Sequence, residues 1–237
     1  TYSPQKLPWD LSLDKKHFQD FMKRLRKHYG GRRIRYYHCG EYGDENLRPH
    51  YHALLFGVSF CEDRQVWKST AFGDLYVSPL LERVWGKGFC TIGSVDFRSA
   101  AYVARYVMKK QSAKYAEETG VYKRQEVDHE TGEVVREWHV QPEYATMSRR
   151  PGIGAGWYEK YKKDCYPSDF CVNDGKKLRV PKYYDTLLER ENPELLDRLK
   201  KRRFQAAQRH EKENTWERLR VRERLAEKRG DNFGRQV

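Results

Sequence analysis

Apolar positions along the chain fall into helical and strand periods in turn. Phe18, Phe21, Met22 and Leu25 recur at three- and four-residue spacing, one stripe of a helix that Gly30-Gly31 should end. Residues 3–12, with Pro4 and Pro8, read as the loop before it. Ile34–Glu41 and Arg48–Gly57 are β-rich runs. In the second run, alternation puts His50, His52, Leu54 and Phe56 on one side and Tyr51, Ala53 and Leu55 on the other. Tyr42–Pro49 can turn the chain back, pairing the runs as a long hairpin with Glu41 near the histidines.

Gly57–Val77 is less regular, an expected variable insertion holding Trp67 and Phe72. Ser78 ahead of Pro79 should cap a short helix through Trp85 that stops at Gly86. Phe89–Val95 reads as a strand leading into a helix over Ala100–Lys110, whose Ala100, Val103, Ala104 and Val107 make a stripe suited to a sheet. Val121–Val127 and Glu133–Val140 can pair as a polar hairpin across residues 129–132. Further on, Thr186-x-x-Glu189 has the form of a capping box, and Asn192-Pro193 opens a helix expected to run to about Lys228. Its seam of Leu195, Leu196, Leu199, Trp216, Leu219 and Leu225 is too sparse for a coiled coil. The succession predicts an α+β fold, an antiparallel β-sheet with helices packed on one side, plus a charged helical C-terminal extension. The expected division is 1–165 and 166–237.

Charge adds a partner class. The 237 residues carry a net charge of +13, and a pI near 9.4 favours a polyanion, nucleic acid first. Lys15, Lys16, Lys23, Arg24, Arg26 and Lys27 line the outer face of the first helix, as either a solvated face or a phosphate-contacting one. Arg48, Lys110, Arg149 and Arg150 join the candidate DNA contacts. The Gly152–Gly156 loop lacks the GxxxxGK[ST] arrangement, which favours contact with a substrate backbone over nucleotide binding. No apolar run is long enough to span a bilayer, so no membrane partner is expected. Five cysteines without CxxC spacing suit a reduced, cytoplasmic setting and no disulfide framework.

The chemistry concentrates in two places. His50 and His52 stand about 7 Å apart at the backbone on one strand face, a spacing compatible with one metal ion and equally with two partly buried side chains. Tyr102 and Tyr106, four apart, share a helix face, with Lys109 one turn beyond. Arg-Pro-His50-Tyr-His52 followed by Tyr102-x-x-x-Tyr106-x-x-Lys109 resembles the HUH endonuclease superfamily. More narrowly, it is similar to the replication initiator (Rep) proteins of microviruses, the gokushovirus type in particular. Tyr36–Gly43, Gly88–Gly93 and Met147–Gly154 carry the likeness as well, over roughly residues 1–165. Members of that family have an earlier Thr- and Leu-rich strand, and Thr1-Tyr2 reads as the tail of one, an expected N-terminal truncation.

The resemblance implies His50 and His52 as metal ligands, Tyr102 and Tyr106 as paired nucleophiles and Lys109 as their supporting lysine. Glu41 is the expected oxygen ligand. Mixed imidazole and carboxylate donors suit Mg²⁺ or Mn²⁺. A tyrosine pays about 4 kcal/mol to ionise at pH 7 from a reference pKa near 10, and a cation at the phosphate would offset that. The implied partners are a single-stranded DNA origin with a host helicase and polymerase, in the host cytoplasm. Two other readings stand beside this one: a non-catalytic single-strand-binding module, and an HUH relaxase or transposase.

Overall fold

A computed structural model describes residues 1–43, 46–70, 73–109 and 113–234, with only the backbone described at 105–109, 113–115 and 229–234. The chain divides into two compact units, Thr1–Ser148 and Arg149–Val237.

In the first unit, α1 (Lys15–His28) begins where the Asp14 carboxylate accepts from the Lys16 backbone N–H at 2.7 Å. It buries Phe18, Phe21, Met22 and Leu25, the stripe seen in the sequence. β1 (Arg35–Tyr42) and β2 (Pro49–Phe56) form the expected hairpin, with Glu41 opposite His50 and Cys39 opposite His52. After β3 (Gln65–Thr70), β4 (Gly73–Val77), α2 (Pro79–Trp85), α3 (Phe97–Lys109) and α4 (Ala113–Thr119) come β5 (Lys123–Val127), β6 (Val134–His139) and β7 (Tyr144–Met147). β7 adds to the free side of β1, giving the order β2-β1-β7, antiparallel throughout.

This register divides the sheet into two faces. Tyr37, Cys39, Glu41, His50, His52, Leu54, Phe56 and Ala145 share one, and Tyr36, His38, Tyr51, Leu55, Tyr144 and Thr146 share the other. α3 covers the first face, where Val103 is buried with Cys39 and Leu54. α1 covers the second, where the Phe18 ring stacks on His38 with centroids 3.5 Å apart. Helices therefore pack on both sides of the sheet, where the sequence suggested one. The reason is in β1, which is buried at every position from His38 to Tyr42: a central strand with apolar groups on both faces needs cover on both.

Three local expectations are corrected. The region from Gly57 to Val77 holds a regular hairpin, β3 with β4, across a bulge at Val66/Lys68; Phe72 lies outside the described residues. Phe89–Val95 is not a strand and makes one bridge, Ile92 to Tyr76. Beside it, the Ser3 N–H donates to Lys87 O at 2.7 Å and the Thr1 amino group to Phe89 O at 3.0 Å, so its backbone partners are shared between two segments. α2 matches its expectation: the Ser78 hydroxyl accepts from Leu81 N–H at 3.1 Å, and Gly86 ends the helix in the left-handed conformation. So does the β5/β6 hairpin.

The second unit contains α5 (Ala155–Cys165), the β8/β9 hairpin (Cys171–Asn173, Lys176–Leu178), α6 (Lys182–Glu191), α7 (Pro193–Gln208) and α8 (Trp216–Gly234). Tyr158, Cys165, Tyr166, Val180, Leu188, Leu196 and Leu199 form its core. α6 starts four residues before Thr186, whose hydroxyl bonds back to Lys182 O at 3.1 Å, so the expected capping box does not form. α7 starts at Asn192-Pro193 as expected, with Asn192 accepting from Leu195 N–H, but ends at Gln208. Beyond Leu199 no stripe is buried, and Trp216, Leu219 and Leu225 are exposed, so packing does not carry one helix through to Lys228.

Candidate functional site

Strand pairing assembles the site before any side chain is considered. The Gly43 N–H donates to Arg48 O at 3.0 Å, closing the turn that lays β2 against β1. With Glu41 opposite His50, and His52 on the same face one pair further along, the carboxylate can reach either imidazole. It reaches His52: Glu41 Oε1 and His52 Nε2 are 2.9 Å apart.

His50 is held differently. Its Nδ1 lies 2.6 Å from the Arg48 carbonyl oxygen, an acceptor, so Nδ1 carries the proton and donates, leaving the Nε2 lone pair available. Burial holds the His50 pKa below its ordinary value, which favours the neutral imidazole that a metal requires. A ring anchored through its other nitrogen to a backbone carbonyl is the usual arrangement of a ligating histidine.

α3 brings the third component. The Asp96 side chain accepts from Ser99 N–H at 2.7 Å and the Ser99 hydroxyl accepts from Asp96 N–H at 2.9 Å, a reciprocal cap at the start of the helix. Val103 then packs onto Cys39 and Leu54. That contact sets the helix's rotation and brings Tyr102 edge-on to His52, ring centroids 6.1 Å apart. Tyr106 follows one turn later on α3. The side chains of Tyr106 and Lys109, and all of Lys110, lie outside the described residues.

Glu41, His52 and Tyr102 thus come together, with His50 across from Glu41. In donor chemistry, one carboxylate and two imidazoles on one sheet face, the residues fit a hard divalent cation. Among the described residues, however, no group of three or more His, Cys, Asp or Glu side chains gathers closely enough to hold a metal ion.

The candidate DNA contacts are dispersed. α1 packs on the sheet face opposite the histidines, so Lys15, Lys16, Lys23, Arg24 and Lys27 stand on the far side of the sheet from them. Lys16 and Lys23 both pair with Asp20, at 3.2 and 3.4 Å. Arg24 donates to the Val84 and Trp85 carbonyls at the end of α2, and Arg26 to Ile34 O. Arg48 donates to Tyr2 O at 2.6 Å. Arg149 and Arg150, in the second unit, are exposed and line a cavity of about 410 Å³ together with Arg190 and Tyr183. Sequence inspection missed Arg190 and Tyr183 because nothing in their local spacing signals a site; they join the cavity only when α6 packs. Among the described residues, no helix is long and apolar enough to cross a membrane.

Comparison with known proteins bears on this geometry. A family model for the replication-associated protein ORF2 matches residues 1–111, a stretch containing both strands and α3. The chain is 31% identical over 222 residues to Replication-associated protein ORF2 of Spiroplasma virus 4, covering 88% of this chain and 63% of that one. To Replication-associated protein VP4 of Bdellovibrio phage phiMH2K it is 28% identical over 191 residues, covering 80% and 54%. To Replication-associated protein ORF4 of Chlamydia phage 1 it is 33% identical over 111 residues, covering 43% and 27%. The chain therefore spans less than two thirds of the length of each of these relatives. No solved structure matches it.

Proposed function

We propose, from the premise that this chain is a microvirus-type replication-associated (Rep) protein, that it initiates replication by nicking single-stranded DNA at an origin through a tyrosine. The family model and the three viral relatives support the premise. The observation that carries the reaction is the meeting of Tyr102 with His52 and Glu41 on one sheet face. A phenol beside imidazole and carboxylate is a nucleophile next to groups that take or hold a proton.

In this reading the tyrosine oxygen attacks the scissile phosphorus as the phenolic proton leaves. The P–O3′ bond breaks, the 3′ oxygen departs and is protonated, and the 5′ phosphate remains esterified to the protein. The phosphodiester count is conserved, so a 3′ hydroxyl can later reverse the step. Glu41, His50 and His52 would hold Mg²⁺ or Mn²⁺. That ion, when bound, supplies charge stabilisation at the phosphate. Tyr106 makes the first cut and Tyr102 the second, with Lys109 neutralising developing charge. A host helicase and polymerase would extend the freed 3′ end in the host cytoplasm.

The test is covalent capture. The chain is incubated with a single-stranded oligonucleotide from its own origin, labelled 3′ of the cut, plus Mn²⁺, and then denatured in SDS. A labelled, SDS-resistant complex that disappears in the Tyr102→Phe, Tyr106→Phe double variant is expected. Binding without any such complex makes the chain a single-strand-binding module. Adduct formation at a hairpin end or a transfer origin in preference to a phage origin makes it a transposase or relaxase.

A further inference from the structure

The arginine-lined cavity of the second unit lies outside the proposed chemistry. Arg149, Arg150 and Arg190 are exposed at its rim, and among the described residues none of the three is in an ion pair. Of the two carboxylates that also line it, Glu191 is neutralised by Lys162 at 2.5 Å. The rim therefore keeps an excess of guanidinium charge, and a planar guanidinium matches a phosphate in geometry as well as in sign.

One wall is aromatic. The Tyr183 hydroxyl accepts from the Gly152 N–H at 2.8 Å, and its ring lies so close over Gly152 that a Cβ there would meet the ring at 2.5 Å. From Tyr183 the rings continue outward: Tyr184 follows at 6.2 Å, Trp157 stacks on Tyr184 at 5.7 Å and 4°, and Tyr161 flanks Trp157 at 5.4 Å. Trp157 is 41% exposed and Tyr161 47%, so the path ends on a solvent-facing aromatic surface. It is held in place by the packing of α5 on α6 and not by a ligand.

From this arrangement we infer that the second unit carries a binding site for single-stranded nucleic acid, in which the Arg149, Arg150 and Arg190 cavity takes a backbone phosphodiester and Trp157 takes an adjoining base. A single strand offers a charged phosphate and a free base face side by side; duplex DNA presents phosphates with its base faces stacked away. An acidic peptide would match the arginines and leave the exposed indole unused. The site does not depend on the first unit cutting DNA. It would supply affinity whether or not a tyrosine reacts.

The experiment uses the full chain carrying Tyr102→Phe and Tyr106→Phe, so that binding is measured with no covalent step. Fluorescence anisotropy with labelled oligo-dT across a salt series reads affinity and the number of phosphates neutralised. Arg190→Gln should weaken binding about 3- to 10-fold and reduce the slope of log K against log[salt] by about 0.7, the value for one phosphate of a single strand. Trp157→Ala should weaken it about 5- to 10-fold with the slope unchanged, and Trp157→Tyr should recover most of the loss because it keeps a ring. Circular dichroism melts on each variant separate lost binding from lost folding, and Arg149→Gln with Arg150→Gln provides a second removal of rim charge outside the helices. Wild-type affinity and slope in both the arginine variants and Trp157→Ala would overturn the inference. Displacement of oligo-dT by polyglutamate as readily as by unlabelled oligo-dT would also overturn it, in favour of an acidic protein partner. Loss of adduct formation with oligo-dT binding intact counts against the nicking reading and leaves this site standing.

Discussion

Tyr102 stands edge-on to His52, ring centroids 6.1 Å apart, although fifty residues and two further strands separate them in the chain. Their meeting depends on one packing contact, Val103 of α3 against Cys39 and Leu54 of the sheet. Rotating α3 by one residue would swing Tyr102 about 100° away from the histidine, because successive helical residues are that far apart.

That relationship makes His52 the most informative position in the first unit. His52→Ala should lower the rate of covalent adduct formation about 100-fold, the scale on which loss of a metal-site group reduces activity. Chelation with EDTA should lower adduct formation in the unaltered chain as well, while anisotropy of a labelled oligonucleotide shows that DNA is still bound. Adduct formation unaffected by both treatments would remove the metal from the mechanism.

His38 should make the protein acid-sensitive. It is 1% exposed, stacked on Phe18 and 3.2 Å from the Thr146 hydroxyl through Nδ1. Burial, reinforced by the neighbouring His52, pushes its pKa down to about 3. In the unfolded chain the same group titrates near 6.5, so between these values the unfolded state binds more protons and is favoured. The stability is complete above pH 6.5 and falls as pH drops towards 3, by up to roughly 5 kcal/mol in all. Urea midpoints at pH 7, 5 and 4 measure this, and His38→Phe should flatten the dependence while keeping the stack.

Gly88 is a position where a single methyl group should be costly. Its φ is +148°, and a Cβ there would lie 2.2 Å from the Ser3 nitrogen and 2.5 Å from the Tyr2 carbonyl carbon, both backbone atoms that cannot rotate aside. Gly88→Ala should destabilise the first unit by about 3 kcal/mol, through strain and loss of the Tyr2 packing. A thermal melt followed by circular dichroism reads the loss directly.

In the second unit, Arg203 ties α7 to two carboxylates. Its Nε donates to Asp169 at 2.8 Å and its Nη1 to Asp185 at 2.7 Å, and Asp185 also accepts from the Tyr166 hydroxyl. The Arg203 guanidinium holds the Asp185 carboxyl below its usual range. Arg203→Met should cost about 2 kcal/mol, since two partly buried carboxylates then face each other without a cation. Limited proteolysis should show earlier cleavage between Tyr166 and Gln208 than in the unaltered chain.

The local order of the chain was determined by its sequence. The spacing of Phe18, Phe21, Met22 and Leu25, the Ser78-Pro79 start and Gly86 stop, the hairpin across residues 42–49 and the Asn192-Pro193 cap are all short-range patterns, and all are present in the structure. The placement of His50 and His52 on one face is likewise a property of one strand. Tertiary structure decided what local spacing does not encode. β7 completes the sheet by pairing with β1 more than one hundred residues away, and β1 then needs helices on both faces because both are apolar. It decided that Glu41 bonds to His52 and not to His50, which lies directly opposite. It sent Arg24 and Arg48 to backbone carbonyls, and it brought Arg190 to Arg149 and Arg150, because side chains distant in sequence meet only once packed elements fix their directions.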